Sequence, residues 1–183
     1  MRSANVPKSP IPTMSDIVES SKLQNLHLQV KTLGPFFRVV GLNLQNEKQE
    51  LGRAEGVMRP WIDGKVLHLD SMRMNKATIG IDKKSIFGLG LFVGAAAIRH
   101  GYDCGCTKVE LLAINDSDLY HSKLVRFYTR MGFGVVREVD GSTPEDLADM
   151  LVWGGKGTRM DGDVKELLLK WNRRLKPLTV DSN

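Results

Sequence analysis

From Leu89 to His100 the chain reads LGLFVGAAAIRH, apolar on nearly every face of a helix. A surface helix shows one apolar stripe, whereas a helix apolar all round must be covered on most sides. A chain that holds such a segment therefore needs strands and further helices to wrap it. At 183 residues, 42% hydrophobic and 26% charged, it has the length to do so within one domain. The segment does not read as a membrane span. The apolar run Ile86 to Ile98 is broken by Gly88, Gly90 and Gly94 and falls short of the roughly 20 residues a bilayer requires.

The flanking sequence supplies the covering elements. LHLQVKTLGPFFRVVGLNLQN holds two strand-like stretches with a turn at Gly34-Pro35, and LGRAEGVMRPW reads as a third whose pairing ends near Pro60. Asp63-Gly64 marks a turn into KVLHLDSMRM, Lys65 to Met74, so the first half reads as an antiparallel meander. Gly101 is expected at the left-handed end of the buried helix, and TKVELLAI is then a buried strand. A helix over about 118–131 carries Leu124, Val125, Phe127, Tyr128 and Met131 and stops at Gly132. GVVREV and DMLVWGG read as strands. Val164, Leu167, Leu168, Trp171 and Leu175 form the stripe of a last helix, preceded by Asp161 and Asp163 and ended by Arg173, Arg174, Lys176 and Pro177. The expected organisation is a flexible tail over 1–22, one mixed α/β domain over 23–177 and a short tail over 178–183.

Charge and cysteine usage narrow the function classes only a little. A formal net charge of +5 and a pI near 9.3 mildly favour an anionic partner such as a phosphate-bearing cofactor. A nucleic-acid partner is not expected, because interleaved aromatics and a concentrated basic stripe are lacking. Cys104 and Cys106 offer two ligands where a structural zinc takes four, so no metal is expected and both read as reduced thiols of an intracellular, cytoplasmic protein. The N-terminal MRSANVPKSPIPTM has no apolar signal core. It is acid-free and reads as a disordered tail, with a transit segment for a plastid or other organelle as the alternative.

The SIFGLG stretch before the buried helix admits several readings. A nucleotide P-loop needs a Gly-Lys-Ser/Thr ending, which is absent. A dinucleotide fingerprint needs its third glycine three residues after Gly90, and the next is Gly94. A pyrophosphate cradle needs only free N–H groups at a helix start and glycines that let phosphates approach the main chain. The bland alternative is a helix entry with glycines for close packing.

The order of glycine loop, buried helix, buried strand and a helix closing in FYTRMGF resembles the GNAT superfamily of N-acetyltransferases. The resemblance runs from about Glu55 to Val139. It implies a mixed, mostly antiparallel sheet with a V-shaped splay around the cofactor site, flanked by helices. It also implies acetyl-CoA as acyl donor, with its pyrophosphate on the N–H groups of Ile86, Phe87, Gly88, Leu89, Gly90 and Leu91. The pantetheine arm is then expected beside Met72, Arg73 and Met74. His121 falls where the family often has an asparagine that helps to hold the cofactor, and Ser85 where it prefers Arg or Gln.

Chemistry on that scaffold needs an acid for the departing thiolate and a base for the amine. Tyr128, four residues before Gly132-Phe133, stands where the family places the acid. Candidate bases are Asp70, which is put forward, and Glu55, Glu110, His68 and His121. The acids of VDGSTPEDLADM read either as a lure for a cationic amine or as a capped helical turn begun by Ser142. The function expected is acetyl transfer to a primary amine of a protein or small molecule. The alternative is a non-catalytic acyl-CoA-binding regulatory module, favoured by the short stretch before the first strands.

Overall fold

The computed structural model describes residues 11–75 and 83–176, with backbone alone over 83–87. The element order is α1 (Met14–Lys22), β1 (Leu26–Leu33), β2 (Phe36–Asn43), β3 (Glu50–Trp61), β4 (Gly64–Met74), α2 (Lys83–Asp103), β5 (Cys106–Ile114), α3 (Asp118–Met131), β6 (Gly134–Val139), α4 (Pro144–Trp153), β7 (Gly157–Asp163) and α5 (Val164–Leu175). The strands form a seven-stranded sheet in the order β1-β2-β3-β4-β5-β7-β6. Every neighbouring pair is antiparallel except β4 with β5.

The meander follows the expected turns. Gly34 takes φ +59° between β1 and β2, and Trp61 pairs with Gly64 across a two-residue turn at Ile62-Asp63. Pro60, which has no N–H, lies near the hairpin end opposite Lys65. The apolar helix sits where its sequence demands. α2 packs against β1 through β5 and against α1 and α5, burying Leu91, Phe92, Val93, Ala95, Ala96 and Ala97. Its small residues let the sheet approach: a β-carbon on Gly101 would meet Leu67 at 3.2 Å. α5 buries the stripe Val164, Leu167, Leu168, Trp171 and Leu175, as its periodicity predicts. Asp163 caps it by accepting from the Glu166 N–H at 2.8 Å. The opposite face of the sheet is covered by α4, which packs on β4 and β6 and builds a second apolar cluster of Leu112, Val139 and Trp153.

Four expectations are corrected. Residues 14–22 are a helix rather than tail: Thr13 and Asp16 form a capping box, Ile17 is buried, and the Ser20 hydroxyl donates to the Leu175 carbonyl at 3.0 Å. The expected tail segments 1–10 and 178–183 lie outside the described residues. α2 begins at Lys83 and runs to Asp103, so Gly101 lies inside it and Gly105, at φ +87°, makes the left-handed exit. DMLVWGG is not a strand. Thr143 caps and Pro144 opens a helix that ends at Gly154, φ +79°, a proline-in, glycine-out pattern that suits a helix. The strand beside β5 is instead GTRMDGD, where Gly157 is required because a β-carbon would overlap the Ala113 carbonyl.

Candidate active site

The parallel pairing of β4 with β5 is short. It runs from Lys65 opposite Cys106 to His68 opposite Glu110 and then stops. Beyond it, Met72 to Met74 continue against β3, and Leu111 to Ile114 continue against β7. Among the described residues the two facing edges have no strand between them, so the sheet opens as a V at its centre. Such edges present unpaired backbone donors and acceptors, which an amide-rich chain can satisfy as an added strand. One acceptor is already taken: the Trp153 indole N–H donates to the Leu69 carbonyl at 3.2 Å.

A bulge re-aims β4 at the mouth of this V. Glu55 pairs with Ser71 and Gly56 with Leu69, which leaves Asp70 as the extra residue. Asp70 is exposed and lines a cavity of about 690 Å³ on the α4 side of the sheet, together with Phe36, Arg38, Glu55, His68 and Val152. Glu55 is ion-paired with Arg38. The cavity therefore offers acids, cations and an apolar rim to whatever enters.

Behind it lies a buried polar network. Glu110, 1% exposed, faces the His68 Nδ1 at 3.0 Å, accepts from Arg159 at 2.9 Å, and is ion-paired with Arg59. Burial alone would raise its carboxyl, but the His68 hydrogen bond and then the two guanidiniums outweigh it and hold the group down at about 2. Asp149 bridges Arg159 to Arg137, which also pairs with Asp146. Asp146 is buried. Against that burial, the Asp140 N–H, the Thr143 hydroxyl's local bonding and Arg137 hold it down at about 2. Asp146 and Asp149 are thus neutralised structural acids, and Thr143, not Ser142, is the helix cap. The His68 ring stacks on Trp153 at 4.4 Å, with 26° between the planes.

The other sequence candidates fall around the V. Tyr128, in the last turn of α3, is buried with its ring edge-on to Phe127 and Phe133. Burial, and secondarily Tyr120, pushes its phenol well above the ordinary range, so it keeps its proton. Met72 and Met74 pack toward the core, where β-carbons on Gly94 and Gly90 would meet them at 3.6 and 3.7 Å, and Arg73 is exposed. Gly88 and Gly90 lie within α2 rather than before it, and a β-carbon on Gly90 would meet the Phe127 ring at 3.1 Å. A helix that begins at Lys83 leaves its first N–H groups, about 83–86, without intrahelical partners. His121 is 2.8 Å from the Thr158 hydroxyl, which gives its one hydrogen to Glu138 at 2.8 Å. The imidazole Nε2 of His121 is therefore the donor in that contact.

The roles of Arg59, Arg159 and Trp153 were not legible in the sequence. Glu110 gave the available signal, a lone acid in the apolar strand TKVELLAI. Among the described residues no group of three or more His, Cys, Asp or Glu is arranged to hold a metal, and no helix is long and apolar enough to cross a membrane.

No protein-family model matches the sequence, and no curated protein matches it. Solved structures do. The NatC complex bound to Gag peptide and CoA aligns with 69% of this chain and 70% of its own, at 12% identity and a TM-score of 0.51. The KacTA–DNA complex aligns with 78% of this chain and 76% of its own, at 13% identity and a TM-score of 0.51. The fold is that of the GNAT N-acetyltransferases. Nourseothricin acetyltransferase also aligns, over 76% of this chain and 85% of its own, at 13% identity and a TM-score of 0.49. In this GNAT fold the V between β4 and β5 opens just past His68, next to the bulged Asp70 that lines the cavity.

Proposed function

We propose that the protein is an N-acetyltransferase that moves the acetyl group of acetyl-CoA to a primary amine. The observation that carries this reading is the V opened where β4 and β5 part after His68 and Glu110. The residues present fit the donor. Open edges at 72–74 and 111–114 suit the amides of the pantetheine arm, and Met72, Arg73 and Met74 lie along one of them. α2 starts with Lys83 and Lys84 and has no acid in its first turn, which suits a pyrophosphate at its free N–H groups. The cradle then centres on the first turn, with Ile86, Phe87, Gly88, Leu89, Gly90 and Leu91 continuing the same helix. His121 on α3 flanks the same end of β5 through its Thr158 contact. The NatC neighbour is bound to CoA and a peptide, in keeping with an acyl donor and an amine acceptor.

Acetyl-CoA supplies an activated acyl group on a thiol. Tyr128 holds a proton in a water-poor setting and donates to the sulfur as charge develops there. Asp70 and Glu55 draw the acceptor ammonium into the cavity, with Phe36 and Val152 against its apolar part. The reading is tested by melting the chain with acetyl-CoA. At a hundred times its dissociation constant, a ligand adds about 2.7 kcal/mol, which for a chain of this size raises Tm by roughly 5–10 °C. NAD should give no such shift, and an unmoved curve with acetyl-CoA contradicts the reading.

A further inference from the structure

We propose that His68 is the base that takes the proton of the acceptor ammonium, and that Glu110 positions it. The assignment rests on the acetyl-transfer reading and deepens it. An ionised carboxylate only accepts hydrogen bonds, so the nitrogen 3.0 Å from Glu110 Oε1, the His68 Nδ1, carries a hydrogen. In the neutral imidazole Nε2 is then the bare nitrogen. It is buried and has no hydrogen-bond partner among the described residues, while His68 lines the cavity. Buried polar atoms are nearly always paired, and an unpaired acceptor beside a cavity points to a donor that arrives with the substrate. A primary ammonium is such a donor.

The surroundings fix the ring for that task. Trp153 stacks on it from α4 and is itself pinned by its hydrogen bond to Leu69. Arg59 from β3 and Arg159 from β7 stand on the Glu110 carboxylate, with Asp149 of α4 beyond Arg159. On the cavity side stand Asp70 and Glu55, with Arg38 and Lys31. Asp70 is exposed, and the buried Glu55 Oε1, which likewise accepts no hydrogen bond, is held in an ion pair by Arg38. His68 Nε2 is thus the buried cavity-lining acceptor with neither a hydrogen bond nor an ion pair among the described residues.

His68 Nε2 takes one proton from R–NH₃⁺, and the freed lone pair on nitrogen forms the C–N bond. The C–S pair leaves on sulfur, which Tyr128 protonates. The second proton shed by nitrogen restores the Tyr128 hydroxyl, and the imidazolium releases its proton to solvent. The balance is one amide, one thiol and one proton.

Two measurements test the assignment. Imidazole nitrogen NMR on the ligand-free chain should show His68 protonated at Nδ1 and bare at Nε2; the reverse tautomer overturns the proposal. Kinetics with acetyl-CoA and three probe amines, spermidine, phenethylamine and a lysine-bearing tetrapeptide, should show His68→Gln lowering kcat by roughly 10²–10⁴. The same variant should lose the limb of kcat/KM that rises with pH, with acetyl-CoA affinity unchanged. Glu110→Gln, a second variant in case the first does not fold, should displace that limb and lower kcat less. A wild-type chain that acetylates none of the three amines overturns the transfer reading and this assignment together. Transfer by the wild type, with a variant that matches its rate and pH profile, overturns this assignment alone.

Discussion

Gly56 and His68 are in backbone contact across β3 and β4: a β-carbon on Gly56 would overlap the His68 carbonyl oxygen and press on the Phe37 ring. The contact sits at the bulge that turns Asp70 out to the cavity and places His68 opposite Glu110. Gly56→Ala must push the strands apart or move Phe37, a crowding that costs about 1–3 kcal/mol. The expected result is a Tm lower by roughly 2–12 °C, with catalysis reduced as His68 shifts. An unchanged melting curve would mean that this stretch of the sheet is not held as described.

Acid should weaken the fold through Glu110. Its folded value of about 2 lies below the ordinary 4.5, so its stabilisation is fully present above about pH 4.5 and is lost as pH falls through about 2. The total is on the order of 3 kcal/mol. Asp146 adds to the loss in the same direction. Urea unfolding across this window should show a steeper acid slope for the wild type than for Glu110→Gln, and equal slopes would contradict the buried ion network.

Tyr128→Phe removes one hydroxyl and keeps the ring against Phe127 and Phe133. With Tyr128 as the acid, kcat should fall by roughly 10²–10⁴ while acetyl-CoA affinity stays nearly unchanged. Turnover at the wild-type rate, with chemistry limiting, would make Tyr128 a packing residue only.

The fold was legible where periodicity is strong and local. The meander, the apolar middle of α2 and the stripe of α5 could be read directly, because each buries a regular set of side chains. α1 escaped because a nine-residue helix with one fully buried apolar anchor, Ile17, carries little periodic signal. β7 escaped because GTRMDGD holds two glycines and three charges, and several of them are explained only by tertiary contacts: Gly157 at Ala113, Arg159 on Glu110, Asp161 on Lys108. Gly88 and Gly90 read as a loop because glycine disfavours helices, yet both lie inside α2, where Gly90 is packed close to Phe127 and Met74. The site followed the same rule. Tyr128 was singled out by its spacing before Gly132-Phe133, and Asp70 only as one of several acids and histidines near the expected cofactor strand. The His68–Glu110–Arg159 arrangement needs three strands brought into register, and no single stretch of sequence records it.

Amine acetylation is tested most directly by following release of free CoA thiol from acetyl-CoA in the presence and absence of primary amines, with mass spectrometry of the amine. An acetyltransferase with Tyr128 as its acid should release thiol in a manner that depends on the amine and on Tyr128, with one acetyl group gained by the amine. Tight binding of acetyl-CoA with no amine-dependent release across the panel would contradict catalysis and make the chain an acyl-CoA-binding module.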